Sequence, residues 1–354
     1  MGKNRKIKEI KIGNKIIGEN KPVFIIAEAG VNHNGNFNLA KRLVIEAKKA
    51  GADCIKFQTF KAENLVTEKS PKAAYQILST NARESQKIML KKLELKEKDF
   101  FKLKKLCDKL NIIFLSTPYN FEDVDFLKNM GVAGYKLASM HLTEIPSIEY
   151  VAKTQKPAII STGMSRLSEI KKAVKAFRKA GNRNLILLQC TTNYPSKIEH
   201  LNLRAMDTIR KNTGAVVGYS DHALGIEAPV IAVAAGAKVI EKHFTLNKKM
   251  KGPDHLSSAD PKEFKEMVKR IKLTEIMLGN SKKEMTPPEI INRKGMKRSL
   301  TALVPIRVGD KIKTHMVGFK RPMGGLSPNF YYKIIGRRAK RNIKKDQILT
   351  RKDI

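Results

Sequence analysis

Eight short runs of apolar and β-branched residues recur along the chain, at 23–28, 54–58, 112–116, 134–138, 158–161, 185–189, 215–219 and 238–243. Their apolarity is continuous rather than alternating, which predicts strands buried on both faces and therefore parallel. Between them lie stretches with apolar residues at helical spacing. Residues 38–50 carry Leu39, Leu43, Val44 and Ala47 on one face and stop at Gly51, and residues 166–180 repeat the pattern and stop at Gly181. Eight βα units of similar length predict a closed (β/α)8 TIM barrel in the α/β class. A doubly wound open sheet is the structural rival, weakened because no G-x-G-x-x-G motif follows the first strand.

The pattern changes in two places. Residues 62–95 form a long, mostly polar insertion after the second strand, expected to be part helical. Helical spacing returns over 261–278, the expected last barrel helix. Residues 279–297 contain Pro287-Pro288 and many polar side chains and read as a linker. From 298 onward helical periodicity vanishes and short β-type pieces appear between turn signals. The expected organisation is a catalytic barrel over 1–278, a linker over 279–297 and a small β-rich domain over 298–354, a size near the lower limit for independent stability.

Composition narrows the class without changing the fold. The chain is 42% apolar and lacks Trp. Residues 1–15 are charged and carry no hydrophobic segment, so no signal peptide is expected. Lys6 breaks the myristoylation pattern, and the longest apolar run, 228–237, is far too short to span a bilayer. A cytoplasmic protein is expected. Cys54, Cys107 and Cys190 are scattered and form no C-x-x-C pair, so they read as reduced, buried thiols. The formal charge of +37 raises nucleic-acid binding. The lysines, however, are spread over the polar faces of nearly every helix, with no basic strip interleaved with aromatics. No nucleic-acid partner is expected, although the field would still draw in small anions.

Chemistry-bearing residues gather where the apolar runs end. Glu28 closes the first run, Lys56 and Gln58 the second, and Ser116 with Thr117 the third. Lys136 and Ser139 follow from the fourth, Ser161 from the fifth, Tyr194 from the sixth, Ser220 and His222 from the seventh, Glu241 and His243 from the eighth. Asp254 lies in the loop beyond. In a barrel all of these converge on one rim. Two histidines on neighbouring strand ends can hold one divalent metal, and hydrogen-bonded structural roles are the alternative for each. Lysines inside apolar strands need an anion. Lys56 and Lys136, among so many hydroxyls, suggest a phosphate and carboxylate cradle, with ion pairs to Glu28 and Glu241 as the alternative.

Five stretches taken together resemble the sialic acid synthase family: Phe24 to Gly35 with Glu28-Ala-Gly-Val-Asn32-His33-Asn34-Gly35, Lys56-Phe-Gln58-Thr, Gly218-Tyr-Ser-Asp221-His222, Glu241-Lys-His243-Phe-Thr and Lys251-Gly-Pro-Asp254-His255. The resemblance runs nearly the whole length, and residues 298–354, with Lys320-Arg321-Pro322, are similar to the antifreeze-like (SAF, β-clip) domain that ends these enzymes. It implies condensation of phosphoenolpyruvate with an N-acylated mannosamine-type aldose, such as N-acetylmannosamine, to a nonulosonic acid with release of phosphate. Synthesis of N,N'-diacetyllegionaminic acid is the alternative product. The resemblance further implies Mn2+ or Mg2+ on His222 and His243, and Glu28 at the reacting centre. Phosphoenolpyruvate would lie on Lys56, Thr117, Lys136, Ser139, Ser161 and Ser220. The sugar would lie against Gln58, Tyr194, Asp254 and the Arg321 of a partner subunit, in a domain-swapped homodimer. One departure is Thr192, where many members carry Asn. Two other classes remain as rivals: a Schiff-base aldolase using Lys56 or Lys136, and a polyanion-binding protein built on the basic surface.

Overall fold

The computed structural model describes residues 9–80 and 83–354; the first eight residues of the charged N-terminal stretch lie outside the described residues. The chain opens with an antiparallel hairpin, β1 (Ile10–Ile12) and β2 (Lys15–Ile17), turned at Gly13 with φ 56°. Charge conceals this element in the sequence, because the two faces alternate Ile and Lys over only three residues.

Eight parallel strands follow: β3 (Phe24–Gly30), β4 (Cys54–Thr59), β5 (Ile113–Pro118), β6 (Tyr135–Leu137), β7 (Ala158–Ser161), β8 (Leu185–Cys190), β9 (Val216–Asp221) and β10 (Val239–His243). They form one sheet in the order β5-β4-β3-β10-β9-β8-β7-β6, so β3 pairs with β10 and the sheet rolls into a nearly closed (β/α)8 barrel. All eight match the expected runs to within two residues at either end. Alternate residues point in and out. Inward, Phe24, Ile26, Leu115, Ile159, Ile186, Leu188, Val216 and Val239 pack with Ile10, Ile12 and Ile17 of the hairpin. The hairpin thus stoppers one end of a filled barrel, and a cavity opens at the strands' carboxyl ends. Outward, Ile25, Ile55, Leu187, Val217 and Ile240 pack against the helical layer.

The helices begin and end where side chains satisfy their free backbone groups. Asn36 accepts from the amides of Asn38 and Leu39 to start Phe37–Lys49, which buries Ala40, Leu43, Val44 and Ala47. Asp260, with Glu263 reaching back and Pro261 at the first position, starts Pro261–Leu278. The insertion after β4 holds three short helices, Ala62–Leu65, Ala74–Ser79 and Gln86–Leu93. Met89 and Leu93 pack with Val31 and Phe60 in a small separate core.

The described chain divides into two compact units after Gly279. The second, Asn280–Ile354, has its own core of Leu300, Ala302, Ile306, Ile312, Val317, Ile343 and Leu349. Its β11 (Ser299–Ala302) and β12 (Val317–Lys320) pair antiparallel, and the remaining β contacts are isolated bridges such as Ile306 with Ile343. The stretch 279–297 is not an unstructured linker: Pro287–Met296 is helical. The proline pair reads as a breaker, but proline suits a helix's first turn, and Thr286 with Glu289 closes a capping box.

Candidate active site

A cavity of about 340 Å³ opens at the carboxyl ends of the barrel strands. It is lined by every candidate residue of the barrel: Glu28, Lys56, Gln58, Thr117, Lys136, Ser139, Ser161, Tyr194, Ser220, His222, His243 and Asp254. Arg321 is the exception; it lies in the second unit, just past β12, and is exposed.

Inward alternation places Lys56 on β4, Lys136 on β6 and Glu241 on β10 at one depth, all at most 5% exposed. Lys56 Nζ lies 3.0 Å from Glu28 Oε2 and 3.5 Å from Glu241 Oε2, and Lys136 Nζ lies 3.4 Å from Glu241 Oε1. The ion-pair alternative for these lysines is therefore present in the structure. Hydroxyls reach the same cations: Ser161 Oγ sits 2.7 Å from Lys136 Nζ and Thr117 Oγ1 3.3 Å from Lys56 Nζ, while Ser220 donates to Glu241 at 2.9 Å. Burial works against a charge on Glu241, but Lys136 and Lys56 outweigh it and hold the carboxyl down at about 2. Glu28 has less help. Burial pushes it up to about 7 while Lys56 pulls the other way. Two carboxylates on either side of Lys56 thus differ in protonation near neutrality, which is how one site obtains a permanent anion and a proton carrier.

The hydroxyl side of the cradle depends on a close approach. Gly163 N donates to Ser139 Oγ at 3.1 Å. A Cβ on Gly163 would run into Thr192 Oγ1 and come within 2.8 Å of Ser139 Oγ and 3.0 Å of Cys190 Sγ. Thr192 is therefore packed against the strand-end turn beside the cradle. Gly163→Ala is expected to displace Ser139 and, where that hydroxyl holds a substrate oxygen, to raise the KM of that substrate roughly tenfold, the worth of about one hydrogen bond. A steady-state titration of that substrate checks it.

His222 and His243 emerge from β9 and β10 with ring centroids 5.5 Å apart. His222 Nδ1 is 2.7 Å from the Thr191 carbonyl oxygen. A carbonyl only accepts, so Nδ1 carries the proton and Nε2 keeps its lone pair. Burial lowers His222 to about 4 and His243 well below its ordinary range, so both rings are neutral at pH 7. His243 Nδ1 is buried with no hydrogen-bond partner, and Asp254 Oδ2 lies 3.9 Å from it. Two neutral imidazoles, one with an orphaned nitrogen, fit a divalent cation. Among the described residues no group of three or more His, Cys, Asp or Glu side chains is gathered to enclose a metal ion.

Several wall residues escape sequence reasoning. Beside the expected Tyr194, which lies tilted against His222 with centroids 4.1 Å apart, Tyr75 of the insertion lies 4.9 Å from the Tyr194 ring. Leu65, Val66, Met89, Leu90 and Leu93 supply an apolar wall. Tyr119 donates to Gln58 Oε1 at 3.2 Å; its place just past β5 was a usable signal, whereas the insertion offers none.

A filled parallel barrel with paired cations, hydroxyls and neutral imidazoles at its carboxyl-end mouth defines a (β/α)8-barrel enzyme acting on small molecules. Residues 43–283 match the NeuB family and residues 297–354 the SAF domain, and the chain belongs to this sialic acid synthase family. It is 42% identical to N,N'-diacetyllegionaminic acid synthase of Legionella pneumophila over 97% of this chain and 96% of that protein. It is 32% identical to N-acetylneuraminate-9-phosphate synthase of Homo sapiens, over 94% and 93% of the two chains. The solved N-acetylneuraminic acid synthetase of Leptospira borgpetersenii superposes with a TM-score of 0.74 at 38% identity, covering 82% of this chain and 97% of that one. These relatives make different sugar acids. No helix among the described residues is long and apolar enough to cross a membrane.

Proposed function

We propose that the protein condenses phosphoenolpyruvate with N-acetylmannosamine or a related N-acylated hexosamine, forming a nonulosonic acid and releasing phosphate. The observation that carries this reading is one cavity with two buried lysines on one side and two neutral imidazoles on the other. Lys56 and Lys136, with Thr117, Ser139, Ser161 and Ser220, hold the phosphate and carboxylate of the enolate donor. His222 and His243 would hold Mn2+ or Mg2+, which supplies Lewis-acid polarisation of an aldehyde oxygen. Gln58, Tyr194 and Asp254 orient the sugar, and the apolar wall of the insertion receives its acyl methyl group. Glu28 takes a proton from the water that adds to the donor carbon. Arg321 of a partner subunit binds the acyl-amino group.

The deciding experiment is a phosphate-release assay on phosphoenolpyruvate with a panel of acceptors, including N-acetylmannosamine, its 6-phosphate and a 2,4-diacetamido-trideoxyhexose. Release must require both an acceptor and a divalent cation. Release unaffected by chelator would overturn the metal assignment, and no release with any acceptor would overturn the reaction. Lys136 keeps a second chemistry in view, because burial lowers its pKa, Glu241 notwithstanding, and a less basic lysine is a better Schiff-base nucleophile. Borohydride trapping of substrate on the chain would establish that chemistry instead.

Two further outcomes follow from this assignment. The proton-accepting role of Glu28 requires its ionised form, so kcat should rise with pH through about 7. Glu28→Gln should flatten that limb and lower kcat by roughly 10²–10⁴-fold, read from a pH–rate profile. Arg321→Ala should raise the sugar KM roughly 10–100-fold, the worth of a charge-assisted contact, and leave that of phosphoenolpyruvate within about twofold. Equal effects on both substrates would remove Arg321 from the sugar site.

A further inference from the structure

Behind the two histidines, on the outward face of the same strand ends, lies a buried ion pair that the catalytic chemistry does not use. Alternation turns Ser220 and His222 of one segment, and Glu241 and His243 of the other, toward the cavity. Asp221 and Lys242 must then point the opposite way, into the apolar layer beside the helices. Lys242 Nζ donates to Asp221 Oδ2 at 2.6 Å, with the two side chains 1% and 0% exposed. A pair in so dry a place is not retained cheaply, since apolar side chains of similar size serve the same space at least as well.

The connections around it are specific. Lys242 Nζ donates a second time, to the carbonyl oxygen of Ala223 at 2.5 Å. Asp221 Oδ1 accepts from the Ala223 amide at 3.1 Å and from the Tyr219 hydroxyl at 2.9 Å. One ammonium therefore grips the residue before His222 and the residue after it, while belonging to the residue before His243. Lys242 and Asp221 are also the last paired rung between β10 and β9. Beyond it the backbones part: the His222 carbonyl accepts from Ser196 and the His243 carbonyl from Ala259. Pairing between these two strands stops one residue short of each histidine, although β10 stays paired with β3 through His243 and Glu28.

We propose that Asp221 and Lys242 are positioning residues for the cation site. Their ion pair, anchored on Tyr219 and Ala223, fixes the spacing and direction of the two imidazoles where the ladder between β9 and β10 no longer does. The inference rests on His222 and His243 being the cation's ligands. Neither Asp221 nor Lys242 touches the cavity, so they act only through the histidines.

The test is Mn2+ binding to the metal-free full-length protein by calorimetry, beside circular dichroism and thermal melting, with no substrate present. Lys242→Met is expected to weaken Mn2+ binding about 10–100-fold, as loss of a ligand-orienting partner does. Lys242→Arg, which keeps the charge, is expected to recover part of that loss. Because Lys242→Met strands Asp221 and risks misfolding, Asp221→Leu with Lys242→Met is the companion variant. It restores an apolar layer and the melting temperature, but leaves Mn2+ binding weak. Tyr219→Phe, the mildest change, is expected to weaken binding a few-fold. Mn2+ affinity within twofold of wild type in a folded Lys242→Met or double variant would overturn the proposal and reduce the pair to a structural tie. His222→Ala separates this from failure of the cation site itself. If wild type and His222→Ala bind Mn2+ equally, the ligand assignment falls and the positioning role with it. If His222→Ala alone abolishes binding, only the positioning role is lost.

Discussion

Replacing His222 or His243 with Ala is expected to lower kcat by about a thousand-fold or more while the barrel stays folded. The magnitude follows from the several kcal/mol of charge stabilisation that a Lewis acid contributes to an aldehyde oxygen. Folding loses much less. His222 gives up one hydrogen bond to the Thr191 carbonyl, worth about 1 kcal/mol. His243 gives up none at Nδ1, which is unpartnered. Phosphate-release rates, paired with melting curves and Mn2+ retention after desalting, check the split. Near-normal turnover in either variant would return that histidine to a structural role. Loss of the fold would show that the cavity wall depends on the ring as packing.

Lys56→Met is expected to have the second largest effect, and here activity and stability should fall together. Lys56 stands between Glu28 and Glu241, at 3.0 and 3.5 Å, with its side chain 5% exposed. Removing the cation leaves Glu241 with Lys136 and Ser220 as its remaining partners and Glu28 without its nearest one. Breaking a buried pair from one side costs about 3–5 kcal/mol, which corresponds to a melting shift on the order of 10 °C in a chain this size. The phosphoenolpyruvate KM should rise at least about 30-fold, the worth of one charge-assisted contact near 2 kcal/mol. Addition of Glu28→Gln to Lys56→Met, which leaves Glu241 paired with Lys136, should recover part of the stability but not substrate binding. A KM for phosphoenolpyruvate unchanged in Lys56→Met would take Lys56 out of the anion cradle and leave it as the ion pair alone.

The two readings of the buried lysines are compatible in one arrangement. Glu241 pairs with both ammonium groups, and Ser161 and Thr117 reach the same cations, so an anion entering the cavity would meet lysines already held by a carboxylate. A site for a polyanion keeps its cations charged only by giving them a resident carboxylate. That carboxylate is held ionised by the same lysines, while Glu28, further from Lys136, rises toward neutrality. The basic surface of the protein, with its formal charge of +37, fits this as a field that attracts small anions to the mouth.

The barrel was legible because parallel strands buried on both faces leave unbroken apolar runs, and eight of them recur at the spacing of βα units. Its rim was legible because each run ends in polar residues, and a (β/α)8 topology brings every carboxyl end to one side. Hence Glu28, Lys56, Lys136, Ser161, His222 and His243 could be grouped before any distance was known. The β1–β2 hairpin escaped because three-residue strands carry too short an alternation to stand out against charge. The helix Pro287–Met296 escaped although its Thr286-x-x-Glu289 box was visible, because Pro287-Pro288 was taken as a stop rather than a start. Tyr75 and the apolar wall of Leu65, Val66, Met89, Leu90 and Leu93 escaped for a different reason: nothing local says that an insertion folds over a cavity.

By itself the sequence determined the eight barrel strands, the limits of helices such as Phe37–Lys49 and Pro261–Leu278, and which side chains meet at the mouth, since these follow from periodicity and local capping. Tertiary structure alone decided which cation faces which carboxylate, which nitrogen of His222 carries its proton, and that Lys242 ties Asp221 and Ala223 behind the histidines. Those contacts depend on strand register and on burial, and both arise only when distant segments are packed and water is excluded.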